Sequence, residues 1–263
     1  MKSRLALASL VLLLTIAAAA QSAADRQTLT QARQSYYSLR TQGVTSFQCD
    51  VNPDWNSLLQ DEREKNPSAA DAAVKILSQL HFVVSFGADG KSSMTHNELT
   101  GQTEEMNKAL AQIYGGMEQM TSGFFDTWSL FMVNKPFPEP DTKFELQTVG
   151  PLYTLHYLET GTDVVTTMSK EFAINQLTVT TPQFHSSIHP TLTKSASGFL
   201  LSGYDADYDS GKPEELTHLN VLVEYQPVNG VQMLQKLDLK GSYGGSKFSV
   251  QLGFQGCQAT NKK

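Results

Sequence analysis

The sequence predicts an α+β fold dominated by antiparallel strands, with helices covering the apolar face of the sheet. Three observations carry that expectation. Residues 143–255 break into consecutive strand-length segments separated by tight-turn residues, the pattern of a meander whose neighbours in sequence pair in space. Within those segments apolar residues alternate with Thr, Gln, Asn, Ser and Lys, which gives a sheet one dry and one wet face. Helical periodicity is confined to the first half of the chain, at 25–42, 54–80 and 102–133. Those helices are the available cover for the dry face.

The elements follow in order. Leu29, Ala32, Arg33, Tyr36, Tyr37 and Arg40 are spaced as on a helix over 25–42, and Gly43 ends it. Val44 to Val51 alternates as a strand with Phe47, Cys49 and Val51 on one side. Pro53 opens a short helical stretch through Trp55, Leu58 and Leu59. Asn66-Pro67-Ser68 breaks it, and a helix restarts over Ala69 to Leu80 with Ser68 as its expected N-cap. His81–Phe86 and Lys91–Asn97 form a hairpin about Asp89-Gly90. A long helix follows over 102–133, stopped by Asn134, Pro136, Pro138 and Pro140.

The remaining strands are Phe144–Val149, Leu152–Glu159, Val164–Ser169, Ala173–Thr181, Ser186–Lys194, Gly198–Tyr208, Leu219–Gln226, Val231–Lys240 and Lys247–Gln255. Thr160-Gly161 turns the second of these strands into the third, and Asn229-Gly230 makes the clearest turn, of type I′, in which both central residues take positive φ. There is no repeat and no linker, so residues 21–263 read as one domain.

The first twenty residues read differently. Lys2 and Arg4 precede an uncharged run from Leu5 to Ala20, and small residues follow at Ala18-Ala19-Ala20 and Ser22-Ala23-Ala24. This is the layout of a secretory signal peptide over 1–20, with cleavage as late as residue 24. The run is about 16 residues, under the 18 or more of a spanning helix. The protein is therefore expected to be exported, to a periplasm or the extracellular space. Its formal net charge is −6, and loss of Lys2 and Arg4 makes it more acidic. An acidic chain repels phosphate backbones, so nucleic acid is excluded as a partner.

Cys49 and Cys257 are the only cysteines. In an oxidising compartment an even pair points to one disulfide, joining the first strand to the last; two separate thiols are the other reading. Phe248, Val250, Leu252 and Phe254 alternate on one face of the last strand, which turns Cys257 to the other. A bulge at Gly253 or Gly256 is needed to bring it to Cys49.

The helix at 102–133 carries the candidate site. Met106, Leu110, Ile113, Met117, Met120, Phe124, Trp128 and Phe131 recur at steps of three or four and form one apolar stripe. Three of the eight are Met, which adapts to irregular apolar partners, so the stripe reads as the wall of a ligand cavity. Plain packing of the helix on the sheet is the competing reading. Gly115-Gly116 and Ser122-Gly123 are two weak points at which the helix could hinge.

Other constellations are weaker. Asp205, Asp207 and Asp209 resemble the start of a calcium loop, but Ser210 stands where Gly belongs and Leu216 where the closing Glu belongs. Three carboxylates at period two on a solvated strand explain them. His185 and His189 have the spacing of helical metal ligands, yet Pro190 and the surrounding Ser, Thr and Phe residues make the segment extended. No metal or cofactor is expected. G-x-S-x-G, H-E-x-x-H, P-loop and G-x-G-x-x-G motifs are all missing, and the chain is read as a non-enzyme.

The order of these elements resembles a known family. An export signal, an N-terminal helix, a first strand Gly43-Val44-Thr45-Ser46-Phe47, inserted helices and a long antiparallel meander are similar in layout to the periplasmic lipoprotein-carrier (LolA/LolB-like) superfamily. The run Val223-Glu224-Tyr225-Gln226-Pro227-Val228-Asn229-Gly230 resembles the penultimate hairpin of those proteins. The resemblance implies a strongly curved, open half-barrel with helices packed on its concave apolar face. It also implies an acyl-chain cavity between them, with the 102–133 helix inside the curve.

The function expected is that of a soluble envelope protein binding lipid, a lipoprotein acyl chain or another long apolar ligand, with transient membrane or membrane-protein contact. A non-enzymatic interaction protein with a filled core is the alternative, and a secreted hydrolase with a dispersed site the second.

Overall fold

The computed structural model describes residues 23–261; the expected signal peptide lies outside them, apart from the latest of its cleavage positions. Twelve strands form one antiparallel sheet that curves without closing into a barrel, and helices lie against its apolar face. Its order is β3-β2-β1-β12-β11-β10-β9-β8-β7-β6-β5-β4. In chain order the strands are β1 Val44–Pro53, β2 Phe82–Phe86, β3 Ser92–His96, β4 Phe144–Val149, β5 Leu152–Glu159, β6 Thr162–Ser169, β7 Ile174–Thr181, β8 Phe184–Ser195, β9 Gly198–Asp209, β10 Thr217–Val228, β11 Val231–Tyr243 and β12 Ser246–Asn261. Every neighbour pair is consecutive in sequence except β1 and β12, where the chain's first strand meets its last.

The expected hairpins form because their turn residues tolerate the backbone they require. Asn229 and Gly230 have φ of 50° and 85°, and Thr160-Gly161 repeats the pattern at 50° and 81°. The strands from β8 onward are longer than their sequence signals. β12 continues six residues past Gln255, through an irregularity between Gln48 and Asp50 of the facing strand, where Gly256 adopts φ +56°. That bulge turns Cys257 toward Cys49, and the two form a disulfide with Cα atoms 4.1 Å apart across 208 positions. Such a bridge fits a chain that matures outside the reducing cytosol. No described helix is long and apolar enough to cross a membrane.

The first helix, α1, ends earlier than its periodicity suggests, spanning 23–34 instead of 25–42. The reason lies in Tyr36, Tyr37, Ser38 and Leu39, four consecutive buried residues. A helix turns successive side chains to different sides and cannot bury all four against one surface. The segment instead becomes an extended strap. Tyr37 N–H donates to Phe199 O and Phe199 N–H to Ser35 O, at 3.0 and 2.7 Å, and Leu39 N–H donates to Met132 O at 2.8 Å. Gly198 permits this approach, since a Cβ there would lie 2.7 Å from Ser35 O.

Tyr36 anchors the strap. Its hydroxyl donates to Phe172 O at 3.0 Å and accepts from Ile174 N–H at 2.9 Å; burial pushes the phenol far above its ordinary pKa. Tyr36→Phe leaves both backbone groups without that partner. The expected cost is about 1–2 kcal/mol, a fall of several degrees in the melting midpoint, which thermal unfolding followed by circular dichroism measures directly.

The insert between β1 and β2 holds three helices, α2 Trp55–Leu58, α3 Gln60–Lys65 and α4 Pro67–Leu77. Asp54 caps α2, its Oδ1 accepting from Asn56 and Ser57 N–H. Asn66, not Ser68, caps α4: its Oδ1 accepts from Ala69 N–H at 3.2 Å. Pro67 occupies the first helical turn, where its missing N–H costs nothing. α5 runs unbroken over Glu104–Met132, with Thr103 as its N-cap.

The core centres on Trp128 of α5. Its ring meets Phe47 and Phe125 edge-on at 5.9 and 5.4 Å. Its indole N–H donates to Tyr225 Oη at 3.1 Å, and that hydroxyl in turn donates to Leu201 O at 2.6 Å. The Trp128 indole and the Tyr225 hydroxyl are thus both satisfied within the core, and α5 is fixed to β1, β9 and β10 together.

Candidate functional site

α5 presents two apolar faces, and only one meets the sheet core. Leu110, Met117, Thr121, Phe125, Trp128 and Met132 are buried. Ile113, Gly116, Met120, Gly123 and Leu130 border a cavity of about 940 Å³, which the buried Met117, Phe124 and Thr127 also line, at the upper end of small-ligand sites. At about 100° per residue the two faces adjoin, roughly a quarter-turn or more apart. The expected stripe straddles them. Ile113, Met117, Met120 and Phe124 line the cavity. Met106, Leu110, Trp128 and Phe131 do not: Leu110, Trp128 and Phe131 are buried in the core, and Met106 packs partly buried against it. The residues sequence reasoning places on one wall are therefore divided between wall and core.

The cavity's other walls come from elements far apart in sequence. Trp55, Leu58, Leu59 and Leu77 contribute from the helical insert. The floor is built from cross-strand rows. Ser186, Tyr208, Thr217 and Tyr243 pair in register across β8, β9, β10 and β11 and form the outermost row. One step inward the row is Ile188, Ala206, Leu219, Gly241 and Phe248, and the next holds Leu239 and Val250. The floor thus changes from polar and aromatic at one end of the strands to aliphatic further in. Period-two alternation marks Leu219, Phe248 and Val250 as inward-facing. Nothing local marks which inward residues stay uncovered, because that depends on where α5 crosses the sheet.

Two glycines shape the helical wall. A Cβ at Gly116 or Gly123 would meet no atom within 4 Å, so both open onto empty space. They do not break the helix, so the expected hinge gives way to a different role: the missing side chains enlarge the cavity.

Its polar groups are few. Thr127 Oγ1 and Tyr208 Oη share a hydrogen bond of 2.9 Å, and burial raises the Tyr208 phenol above its ordinary pKa. Among the described residues Asp126 is the single carboxylate in the wall, and no Lys, Arg or His lines it. Partial burial pushes the Asp126 carboxyl upward from its ordinary value. Phe184 stacks on Tyr208 at 5.9 Å and, with Leu216 and Tyr243, is exposed at this end.

The remaining candidates sit elsewhere. Asp205, Asp207 and Asp209 lie on β9, each with a different partner: Asn220 Nδ2 at 2.8 Å, His218 Nδ1 at 2.9 Å and Gly211 N–H at 2.7 Å. His185 and His189 are on extended β8; His185 meets Thr180 Oγ1 and His189 meets Ser187 Oγ at 3.3 Å. Ser187 and His189 are a hydroxyl beside an imidazole, but His189 turns its other nitrogen to the Asn175 carbonyl at 3.2 Å, and neither residue borders the cavity. Among the described residues no group of three or more His, Cys, Asp or Glu side chains converges as metal ligands would.

No known protein family, curated protein or solved structure matches the chain.

Proposed function

We propose that this is an exported, soluble protein that binds a long apolar ligand, a lipid or a lipoprotein acyl chain, in the cavity between α5 and the curved sheet. The carrying observation is the cavity itself: about 940 Å³ bounded by aliphatic and aromatic side chains from helices and sheet together. It is open to solvent on one side, and a concave, mostly apolar recess of this size with few polar groups is the usual form of a small-ligand site. The resemblance of the chain's layout to the lipoprotein-carrier superfamily supports it. So do the exposed Phe184, Leu216 and Tyr243 at the polar end, which suit brief contact with a membrane from which the ligand is taken or to which it is given.

Native mass spectrometry of protein purified from an envelope fraction is expected to show adducts with lipid masses, released on organic extraction. Delipidated protein is then expected to enhance the fluorescence of an uncharged apolar probe such as N-phenyl-1-naphthylamine and to saturate at one or two equivalents per chain. Adduct-free protein that leaves the probe dark would refute the reading.

A further inference from the structure

A cavity that holds a long apolar chain must also meet the chain's head group, and the charge in its wall decides which head groups are tolerated. Among the described residues Asp126, at a solvent-exposed position on α5, is the one charged side chain that lines it. Its neighbours on α5 and β9, Thr127 and Tyr208, offer hydroxyls 2.9 Å apart, already engaged with one another. None of the described cationic side chains stands in the wall to balance a second negative charge. Outside the cavity the chain is acidic overall, with 26 Asp and Glu against 20 Lys and Arg. A carboxylate-headed or phosphate-headed ligand would bring like charge to like charge in a partly desolvated place, where the repulsion is stronger than in bulk water. An ammonium head would find a counter-charge there, with hydroxyls beside it.

We infer that the cavity selects amphiphiles with a cationic, amine-type head group, held against the Asp126 carboxylate with the chain directed toward Leu239 and Val250. This rests on the reading of the cavity as an apolar-ligand site. It goes beyond that reading by choosing among lipids that share the same tail.

Three amphiphiles with one tail and different heads test it: dodecylamine, dodecanol and dodecanoate. Each is titrated below its micelle concentration against probe-loaded protein, at neutral pH and low salt. Dodecylamine is expected to displace the probe up to about fivefold more tightly than dodecanol, and dodecanoate up to about fivefold more weakly. Asp126→Asn removes one charge from an acidic chain without changing side-chain size, and is expected to bring the three within about threefold of one another. Asp126→Lys is expected to reverse the order. If dodecanol binds but amine and carboxylate bind equally, or if the amine preference survives in Asp126→Asn, the head-group assignment is wrong and the apolar site stands. If none of the three displaces the probe, both fall.

Discussion

Replacing Cys49 and Cys257 together with Ala is expected to lower the stability of the fold by about 2–5 kcal/mol, with the loop-entropy argument setting roughly 5 kcal/mol as the ceiling for so long a loop. The bridge spans 208 positions. It sits at the one seam of the sheet where neighbouring strands are not consecutive in sequence. Everywhere else a strand is followed in sequence by its partner, across a short connection at every pair except β1 and β2, which the helical insert joins. At the β1–β12 seam no turn helps, and the ladder of Val44–Pro53 against Leu252–Asn261 must close over nearly the whole chain. The bulge at Gly256 interrupts that ladder opposite Cys49, so the covalent bond lies where hydrogen bonding is locally weakest. Denaturant unfolding with and without reductant measures the effect, and the double-Ala variant should match the reduced wild type. Amide exchange should accelerate first in β1, β2 and β3, which hang from the seam. A shift under about 1 kcal/mol would mean that the seam is held by packing of Phe47 and Phe254 on the α5 aromatics and not by the bridge.

Much of the fold is legible because its signals are local. Asp89-Gly90, Thr160-Gly161 and Asn229-Gly230 set hairpins by backbone preference alone, and all three hairpins form. Alternation at Leu219, Val221 and Val223 sets the buried face of β10 for the same reason. The failures have one physical origin, which is that burial is a property of neighbours. Tyr36 and Tyr37 sit at helical spacing from Ala32 and Arg33, yet they leave the helix because Phe199 and Phe172 offer partners that a helix would forgo. On α5, periodicity reports that Met120 and Trp128 are both apolar. It cannot report that Trp128 meets Phe47 and Phe86 while Met120 meets open space, because the division is made by the curve of the sheet. Cys257 lies between these cases: the strand pattern alone turns it away from Cys49, and the bulge that corrects this is recognisable only through the glycine that allows it.

That division also makes the cavity open to a test in which stability and binding move in opposite directions. Gly116 and Gly123 lie two helical turns apart on the cavity face of α5, and an added side chain at either would enter empty space. Leu at either position removes a mid-helix glycine, a gain of up to about 1 kcal/mol in helix propensity, so Gly123→Leu is expected to unfold no earlier than wild type and to melt slightly later. The same side chain occupies room that the ligand would use. Losing space for about four methylenes, at about 0.8 kcal/mol each, weakens a tightly fitting chain by about 3 kcal/mol, on the order of a hundredfold in affinity. Gly115→Leu is the matched control. It makes the same change in propensity on the same helix, also with nothing within 4 Å of the new Cβ, but it does not border the cavity. It should raise the melting midpoint and leave probe binding unchanged. If Gly115→Leu and Gly123→Leu weaken binding equally, the ligand does not occupy the space beside α5. If Gly123→Leu destabilises the protein instead, the cavity is closed in solution by collapse of Met120 and Phe124 into it, and the leucine meets packed atoms.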